Sequence, residues 1–205
     1  MPSSARACGS CRRPPEPHRP VDGRTDRLRP RMQPFTVERT VARPREDVFT
    51  YLSDAANHPE FTDHFLRDWR MTREETTGVG AGGRFKGKLP FARFPWGDWT
   101  IVELDPPLTI VLQGRTGKFN RIRTLTLIEL REAGAGRTRV LVTIETQPVY
   151  PSDRFLESLG QRSALRRHWK RALRRLQLIL EEDRGRGERA TIAGGPRKPA
   201  SRLSA

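Results

Sequence analysis

The sequence has very little cysteine: of its 205 residues only Cys8 and Cys11 are cysteines, and they form a single CGSC motif. A redox pair with this spacing needs a helix N-terminus to lower the thiol pKa, and a structural zinc needs four ligands. His18 is the one further ligand nearby, and the chain has no second cysteine pair. We therefore predict no metal site and no cofactor. The absence of cysteine from residues 33–183 also excludes disulfide bonds and thiol nucleophiles there.

Long apolar runs are missing as well. A membrane-spanning helix needs about 20 predominantly apolar residues, and a secretory signal needs an unbroken run of roughly 7 to 15. Neither pattern is present in the sequence. We expect a soluble, cytoplasmic protein.

The two ends of the chain lack clustered apolar side chains. Residues 1–31 contain eight Arg and six Pro, and residues 184–205 are rich in Gly, Pro, Ala, Ser and Arg. Such compositions cannot compensate for the entropy lost on folding. We predict a disordered leader at 1–32, one folded domain at 33–183 and a disordered basic tail at 184–205. Met32 is a candidate start codon, in which case residues 1–31 would not be translated.

The net charge of +15 belongs mainly to these ends, since each contributes +5. The central part of the chain holds 25 basic and 20 acidic residues, which is ordinary for a soluble domain. The sequence therefore predicts no specific nucleic-acid partner for the folded domain. Nonspecific binding to phosphate polymers remains open for the flexible basic ends alone.

The folded part begins with a strand and a helix. The stretch FTVERTV at 35–41 alternates apolar and polar residues, as a half-buried strand does, and Arg39 interrupts its apolar face. ARPREDVFTYLSDAAN at 42–57 predicts a helix, because a proline fits the first turn and apolar residues recur on one face. Pro59 cannot extend that helix and is expected to hold His58 in an extended conformation. PEFTDHF should then form a separate helical turn or a structured loop.

Residues 67–147 read as an antiparallel meander of five or six short strands separated by turn sequences. Its clearest hairpin joins IRTLTLIEL to TRVLVTIETQ. One long helix is predicted to start after Pro151, with Ser152 as its N-cap, and to run to about Asp183 with a bend at Gly160. Arginine and lysine occupy the side of this helix opposite its apolar residues. We expect a solvated face there, with weak contact to an anionic membrane as the alternative.

The order of these elements resembles the START-like (SRPBCC) superfamily, and within it the polyketide cyclase/dehydrase and lipid-transport group. The resemblance covers about residues 35–181. It rests on VERTVARPREDVFTYLSDAANHPEF, GVGAGGRF, VELDPPLTIV and AGRTRVLVTIE, which occur here in this order. It implies an α+β helix-grip fold, in which a bent antiparallel sheet of six to seven strands surrounds a long C-terminal helix, with two short helices after the first strand and an apolar cavity inside. The group includes ligand carriers and aromatase/cyclases, so it does not imply one activity.

Two local patterns are judged against this resemblance. Gly78, Gly80 and Gly83 satisfy GxGxxG, but a strand and not a helix follows them, so they predict a turn and not a nucleotide site. His58 and His64 lie six residues apart across a proline among three acidic residues, Asp54, Glu60 and Asp63. This spacing does not match a helical metal pair, and we interpret the five residues as polar side chains on an exposed connection.

The ligand site is predicted from the aromatic residues that precede Ile101 and from the elements that should wall the cavity. No residue is predicted to be catalytic. The predicted cavity residues are Arg39, Phe61, Phe65, Trp69, Phe85, Trp96, Trp99, Val142, Phe155 and Leu159.

The function predicted for this site is binding or transport of an apolar small molecule: a lipid, a quinone or a polyketide-like compound. A polyketide cyclase or aromatase acting on a poly-β-ketone is the alternative. A protein whose basic ends bind nucleic acid or an anionic membrane is the third.

Overall fold

The computed structural model describes residues 33–90, 94–156, 160–187, 190–192 and 195–196 of the chain. Seven strands form a bent, unclosed antiparallel sheet: β1 (Phe35–Val41), β2 (Leu66–Met71), β3 (Gly82–Gly87), β4 (Trp96–Asp105), β5 (Thr109–Thr116), β6 (Ile122–Glu132) and β7 (Thr138–Pro148). Their spatial order is β1-β7-β6-β5-β4-β3-β2, so consecutive strands pair except at β1. The predicted α+β helix-grip architecture is confirmed.

The hairpin between β6 and β7 has the longest unbroken register, from Ile122 opposite Pro148 to Glu132 opposite Thr138. Val140, Val142 and Ile144 alternate along β7 and are all buried, because period-two alternation places them on one face of the sheet. The prediction of this hairpin is confirmed.

Two irregularities bend the sheet. The register shifts between Arg67 and Arg70 where β2 meets β3, and between Ile101 and Glu103 where β4 meets β5. An extra residue on one strand locally increases twist and curvature. The edges β1 and β2 consequently do not meet, and the concave side of the sheet encloses a space.

Two short helices, α1 (Arg45–Ser53) and α2 (His58–Thr62), follow β1. Pro44 precedes the first helical residue of α1, as its fixed φ allows. The expectation of an extended His58 is wrong: His58 is helical, with φ −59° and ψ −39°, and Pro59 stands in the first turn of α2. Backbone N–H groups in the first turn of a helix have no partner within the helix, so a proline there loses no hydrogen bond. The helix α2 can therefore start immediately before Pro59.

The predicted single C-terminal helix is two helices, α3 (Pro151–Leu156) and α4 (Arg162–Glu182). Gly160 between them has φ +110°, which an L-residue with a side chain rarely adopts, so the expected bend becomes an interruption. The apolar side of α4 is buried at Trp169, Ala172, Leu173, Leu176, Ile179 and Leu180.

Hydrogen bonds fix the end of α4 against the segment after β1. Arg43 Nε donates to the carbonyl of Leu180 at 2.7 Å, and the backbone N–H of Ala42 donates to Glu181 at 2.6 Å. No helix in the described ranges combines the length and apolarity needed to cross a bilayer.

Part of the predicted tail contacts the domain. The N–H of Gly187 donates to the carbonyl of Glu60 at 2.8 Å, and Ala190 is buried in the core. Two short strands, β8 (Thr191–Ile192) and β9 (Gly195–Pro196), extend the sheet beyond β2. The leader at 1–32 lies outside the described residues.

Candidate ligand cavity

A cavity of about 500 Å³ lies between the concave face of the sheet, α2 and the first turns of α4. Cavities of this size accommodate small molecules of drug-like dimensions. The residues that line it range from Phe35 on β1, at one edge of the sheet, to Phe85 on β3, near the other edge. The curvature of the sheet therefore creates the space.

One wall of the cavity is aromatic. Phe65, Trp69, Phe85 and Trp99 line it, and the ring of Trp69 lies 4.9 Å from Phe85 and 5.7 Å from Trp99, measured between ring centroids. Trp69 is itself held by a hydrogen bond from its indole Nε1 to the carbonyl of Leu66 at 3.0 Å. The polar atom of the Trp69 side chain is therefore engaged within the protein, and its ring offers a ligand apolar contact.

The opposite wall carries hydroxyl groups. Thr124 and Thr126 on β6 line the cavity, as do Thr62, Thr116 and Thr146 from neighbouring elements. Leu125, between Thr124 and Thr126, points to the outer face and is 39% exposed. On this half of β6 the polar residues face inward and the leucine faces outward, which reverses the usual assignment of an apolar face to the interior.

The cavity is open at one end of the sheet, because Phe94 and Lys118 line it and are exposed. We call this end the mouth; it is formed by Phe94 and Pro95 just before β4, by the connection from β5 to β6, and by the start of α4. Arg121 and Arg162 also line the cavity at this end. Within the ranges that the structure describes, Asp98 is the one acidic residue in the lining.

His58 on α2 lines the cavity and is only 1% exposed. One ring nitrogen, Nε2, is 2.7 Å from the carbonyl oxygen of Leu52. The ring packs against Trp99 and Phe61, with centroids 4.5 Å and 5.4 Å away. Burial lowers the pKa of His58 from 6.5 to about 4, so the ring is neutral at physiological pH.

The interpretation of Asp54, His58 and Glu60 as residues on an exposed connection is wrong, because each is 1% exposed. Asp54 accepts a hydrogen bond from the N–H of Ala56 at 2.9 Å and so caps the 3₁₀ turn at Ala55–Asn57. Glu60 accepts from the hydroxyl of Tyr51 at 2.9 Å and forms an ion pair with Arg186. Burial and the neighbouring Glu60 carboxylate raise the pKa of Tyr51.

Asp63 and His64, the other two residues of that set, make separate contacts. Asp63 pairs with Arg175 on α4, and His64 Nε2 lies 3.2 Å from the carbonyl of His168. Burial lowers the pKa of His64 to about 4. Within the described part of the chain, no three His, Cys, Asp or Glu side chains are grouped as metal ligands would be. The five residues therefore stabilise α2 and its surroundings.

The structure places four of the ten predicted cavity residues in the lining: Phe65, Trp69, Phe85 and Trp99. Phe61 and Val142 are buried in the core beside it. The remaining residues that the structure describes lie at or near the surface: Arg39, whose Nε donates to Gln177 at 2.6 Å; Trp96, which lies under Lys86; and Phe155, which is 64% exposed. Leu159 lies outside the described residues. Ligand contact by any of the ten stays a prediction.

Sequence reasoning missed His58 as a cavity residue, together with the threonines and the cations at the mouth. A signal for the threonines was available: Ile128 and Leu130 are core residues, and counting back in steps of two from them gives Thr126 and Thr124. No local signal identified His58, because its burial depends on the packing of α2 against the sheet.

Comparison with known structures shows the same fold at low sequence identity. A protein from Thermus thermophilus superposes with a TM-score of 0.57 at 14% identity, over 72% of this chain and 97% of the other. Norcoclaurine synthase from Thalictrum flavum, in complex with dopamine and hydroxybenzaldehyde, gives 0.55 at 14% identity, over 73% and 88%. A protein from Rhizobium loti gives 0.50 at 22% identity, over 69% and 94%.

A search of the curated proteins gave no match. The model of the family described as polyketide cyclase / dehydrase and lipid transport matches residues 32–181. This range contains every strand of the main sheet and nearly all of α4. The chain belongs to the polyketide cyclase / dehydrase and lipid transport family.

Proposed function

We propose that this protein binds and carries an apolar small molecule, such as a lipid, a quinone or a polyketide-like compound, in the cavity between the sheet and α4. The observation that carries the proposal is an aromatic wall, built by Phe65, Trp69, Phe85 and Trp99, facing a space of about 500 Å³. Apolar rings with a few polar groups are the usual lining of small-molecule sites.

The energetic cost of the space supports this proposal. Unfilled apolar volume destabilises a protein by about 24 cal/mol per Å³, so a dry cavity of this size would cost on the order of 10 kcal/mol. Water entering at the mouth offsets part of that cost, and the part that remains counts against a typical stability of about 5–15 kcal/mol. A fold without use for the space would gain stability by filling it with larger side chains.

Adjacent residues of β6 provide a matched test. Thr126→Phe places a ring in the cavity, whereas Leu125→Phe places the same ring on the outer face. We expect Thr126→Phe to weaken binding of the apolar fluorescent probe N-phenyl-1-naphthylamine by at least about tenfold, a change of about 1.4 kcal/mol. Leu125→Phe should bind the probe like the natural protein. Equal binding by both variants would place the probe elsewhere and refute the proposal.

The natural ligand can be sought by native mass spectrometry of protein purified from its own host. We expect a bound mass that disappears on denaturation and that is reduced in Thr126→Phe. Protein that is uniformly empty in this experiment, and that also fails to bind the probe, would count against a carrier function.

A polyketide cyclase or aromatase is the second candidate, and the polar groups inside the cavity favour it. Proton removal beside a carbonyl needs a base within hydrogen-bonding reach of the substrate. His58 and Asp98 are two such groups among the lining residues. This function would be established if the protein converted a poly-β-ketone to a cyclised aromatic product. The conversion should then be lost in Asp98→Asn and in His58→Gln. Unchanged substrate recovered from the complex would favour the carrier.

A further inference from the structure

His58 gives the cavity a hydrogen-bonding group of fixed polarity. The carbonyl oxygen of Leu52 can only accept, so Nε2 of His58 must carry the proton in the 2.7 Å bond between them. In a neutral imidazole the other nitrogen, Nδ1, then has a lone pair and no proton. Among the residues that the structure describes, the ring's hydrogen bond is made by Nε2, and Nδ1 is not one of their fully buried atoms without a partner, so Nδ1 is accessible from the cavity that His58 lines.

Packing holds this ring in place. Trp99 and Phe61 pack against it in tilted arrangements, at centroid distances of 4.5 Å and 5.4 Å. The helix that carries His58 is held by the hydrogen bond from the Thr62 hydroxyl to the His58 carbonyl, at 2.7 Å. A ring fixed in this way cannot exchange its donor and acceptor edges without losing the bond to Leu52. The hydroxyls of Thr124 and Thr126 in the lining, in contrast, can rotate and either donate or accept.

We propose that His58 Nδ1 is a specificity-determining acceptor, which selects apolar ligands bearing a hydroxyl or N–H donor, such as a phenol. The inference rests on the proposed binding function and specifies the ligand class for the same site. A ligand without a donor would leave the buried Nδ1 unsatisfied, which costs about 1–3 kcal/mol. The corresponding preference is at least about fivefold in affinity. The carboxylate of Asp98 also lines the cavity, but its Oδ1 already accepts from the N–H of Arg115 at 3.1 Å.

The test compares 2-naphthol with 2-methoxynaphthalene, which differ in the donor and little in size. We expect the natural protein to bind 2-naphthol at least about fivefold more tightly. His58→Phe keeps the aromatic packing against Trp99 and Phe61 and removes the ring acceptor, so the folded variant should bind both compounds equally. His168→Gln, on α4 and outside the cavity lining, should retain the preference. Binding of neither compound would refute the cavity function itself; equal binding of both by the natural protein would refute only the role of His58.

Nitrogen NMR of the histidine rings gives a second measurement that does not depend on a variant. We expect the neutral Nε2-protonated form of His58 without ligand, and a shift of the Nδ1 resonance on addition of 2-naphthol but not of 2-methoxynaphthalene. A ring protonated at Nδ1, or an Nδ1 resonance that neither compound moves, would overturn the proposal.

A separate observation concerns the mouth of the cavity, where aromatic side chains project into solvent. Phe94, Phe119 and Tyr150 are 49%, 87% and 52% exposed and lie on three connections at the same end of the sheet. Phe119 also has a backbone φ of +56°, a left-handed conformation that is costly for a bulky residue. Its conformation and its exposure are both unfavourable in water, so folding alone does not explain this residue.

Cations accompany these rings. Lys118 Nζ lies 5.6 Å from the ring centroid of Phe94 and 5.1 Å from that of Phe119, and the guanidinium of Arg121 lies 4.8 Å from Tyr150. Exposed aromatic rings beside lysine and arginine are typical of protein surfaces that bind the interface of an anionic bilayer. We infer that the mouth docks on an anionic lipid bilayer, so that a ligand exchanges between the membrane and the cavity.

Vesicle sedimentation tests this docking surface with a matched pair of variants. Phe119→Ser removes an apolar residue at the mouth, and Val79→Ser removes one that is 61% exposed in the turn between β2 and β3, at the opposite end of the sheet. We expect the natural protein and Val79→Ser to bind vesicles of phosphatidylglycerol and phosphatidylcholine, and Phe119→Ser to bind several-fold more weakly. Binding should be weaker to phosphatidylcholine alone and in high salt. Equal losses in the two variants, or no vesicle binding, would overturn the inference.

Discussion

Acid should destabilise this domain through His58, and the structure gives the size of the effect. Burial lowers the pKa of His58 from 6.5 to about 4. Between these two values the unfolded chain binds a proton at this ring and the folded chain does not. Stability rises with pH wherever the unfolded state holds more protons, so the free energy of unfolding falls as the pH drops from about 7 to 4. Below about 4 the folded ring protonates too, and the loss stops growing.

The magnitude follows from the roughly 1.36 kcal/mol that corresponds to each pKa unit. The full loss attributable to His58 is on the order of 3 kcal/mol, of which about 2 kcal/mol has appeared by pH 5. His58 is 1% exposed, so solvent screening does not reduce this value greatly. His64 and His168 also have lowered pKa values but are partly exposed, and their contributions are smaller.

Urea denaturation followed by tryptophan fluorescence, at pH 7.5 and pH 5, measures the loss. His58→Gln should be less stable than the natural protein at pH 7.5, but its stability should fall by about 2 kcal/mol less between the two pH values. His168→Gln is the control and should change that difference only slightly. If His58→Gln and the natural protein lose the same free energy on acidification, the assignment of the loss to His58 is incorrect.

Two further predictions concern residues that hold the cavity walls in place. Gly82→Ala should destabilise the domain by about 1–3 kcal/mol in urea denaturation, because the new Cβ would overlap the carbonyl oxygen of Trp99 on β4. Gly87→Ala on the same strand meets no atom closer than 3.6 Å and should cost about 1 kcal/mol or less. Arg186→Ala should cost about 1–2 kcal/mol, since it leaves the buried carboxylate of Glu60 with less compensation. Arg184→Ala, at an exposed ion pair, should change the free energy of unfolding by less than about 0.5 kcal/mol.

The strands of the meander could be predicted because each carries its own signal. Alternation at 35–41 and at 138–147 identifies the buried face, and the turn sequences between strands limit where each one ends. The interruption of the last helix was harder to locate. The glycine at position 160 predicted a bend in one helix. Its φ of +110° in the structure shows that the helix ends there and a second helix begins after it.

The ligand site was harder to predict than the fold, because its polar members depend on long-range packing. The aromatic residues Phe65, Trp69, Phe85 and Trp99 form a recognisable cluster in the sequence and do line the cavity. Arg39 was chosen because it shares the inward face of β1, yet α4 covers that face and Gln177 binds the guanidinium outside the cavity. Alternation along one strand cannot show where a helix from the far end of the chain will lie.

The contacts behind His58 show how the fold maintains its orientation. Glu60, two residues after His58 on α2, is paired with Tyr51 on α1 and with Arg186 beyond the end of α4. Arg175 on α4 also donates to the backbone carbonyl of Glu60, at 3.0 Å. These bonds connect α2 to three parts of the chain. A preformed acceptor loses little freedom when a ligand binds, so we expect this network to contribute to affinity without touching the ligand. Arg186→Ala should therefore weaken the preference for 2-naphthol as well as the stability of the domain, whereas Arg184→Ala should alter neither.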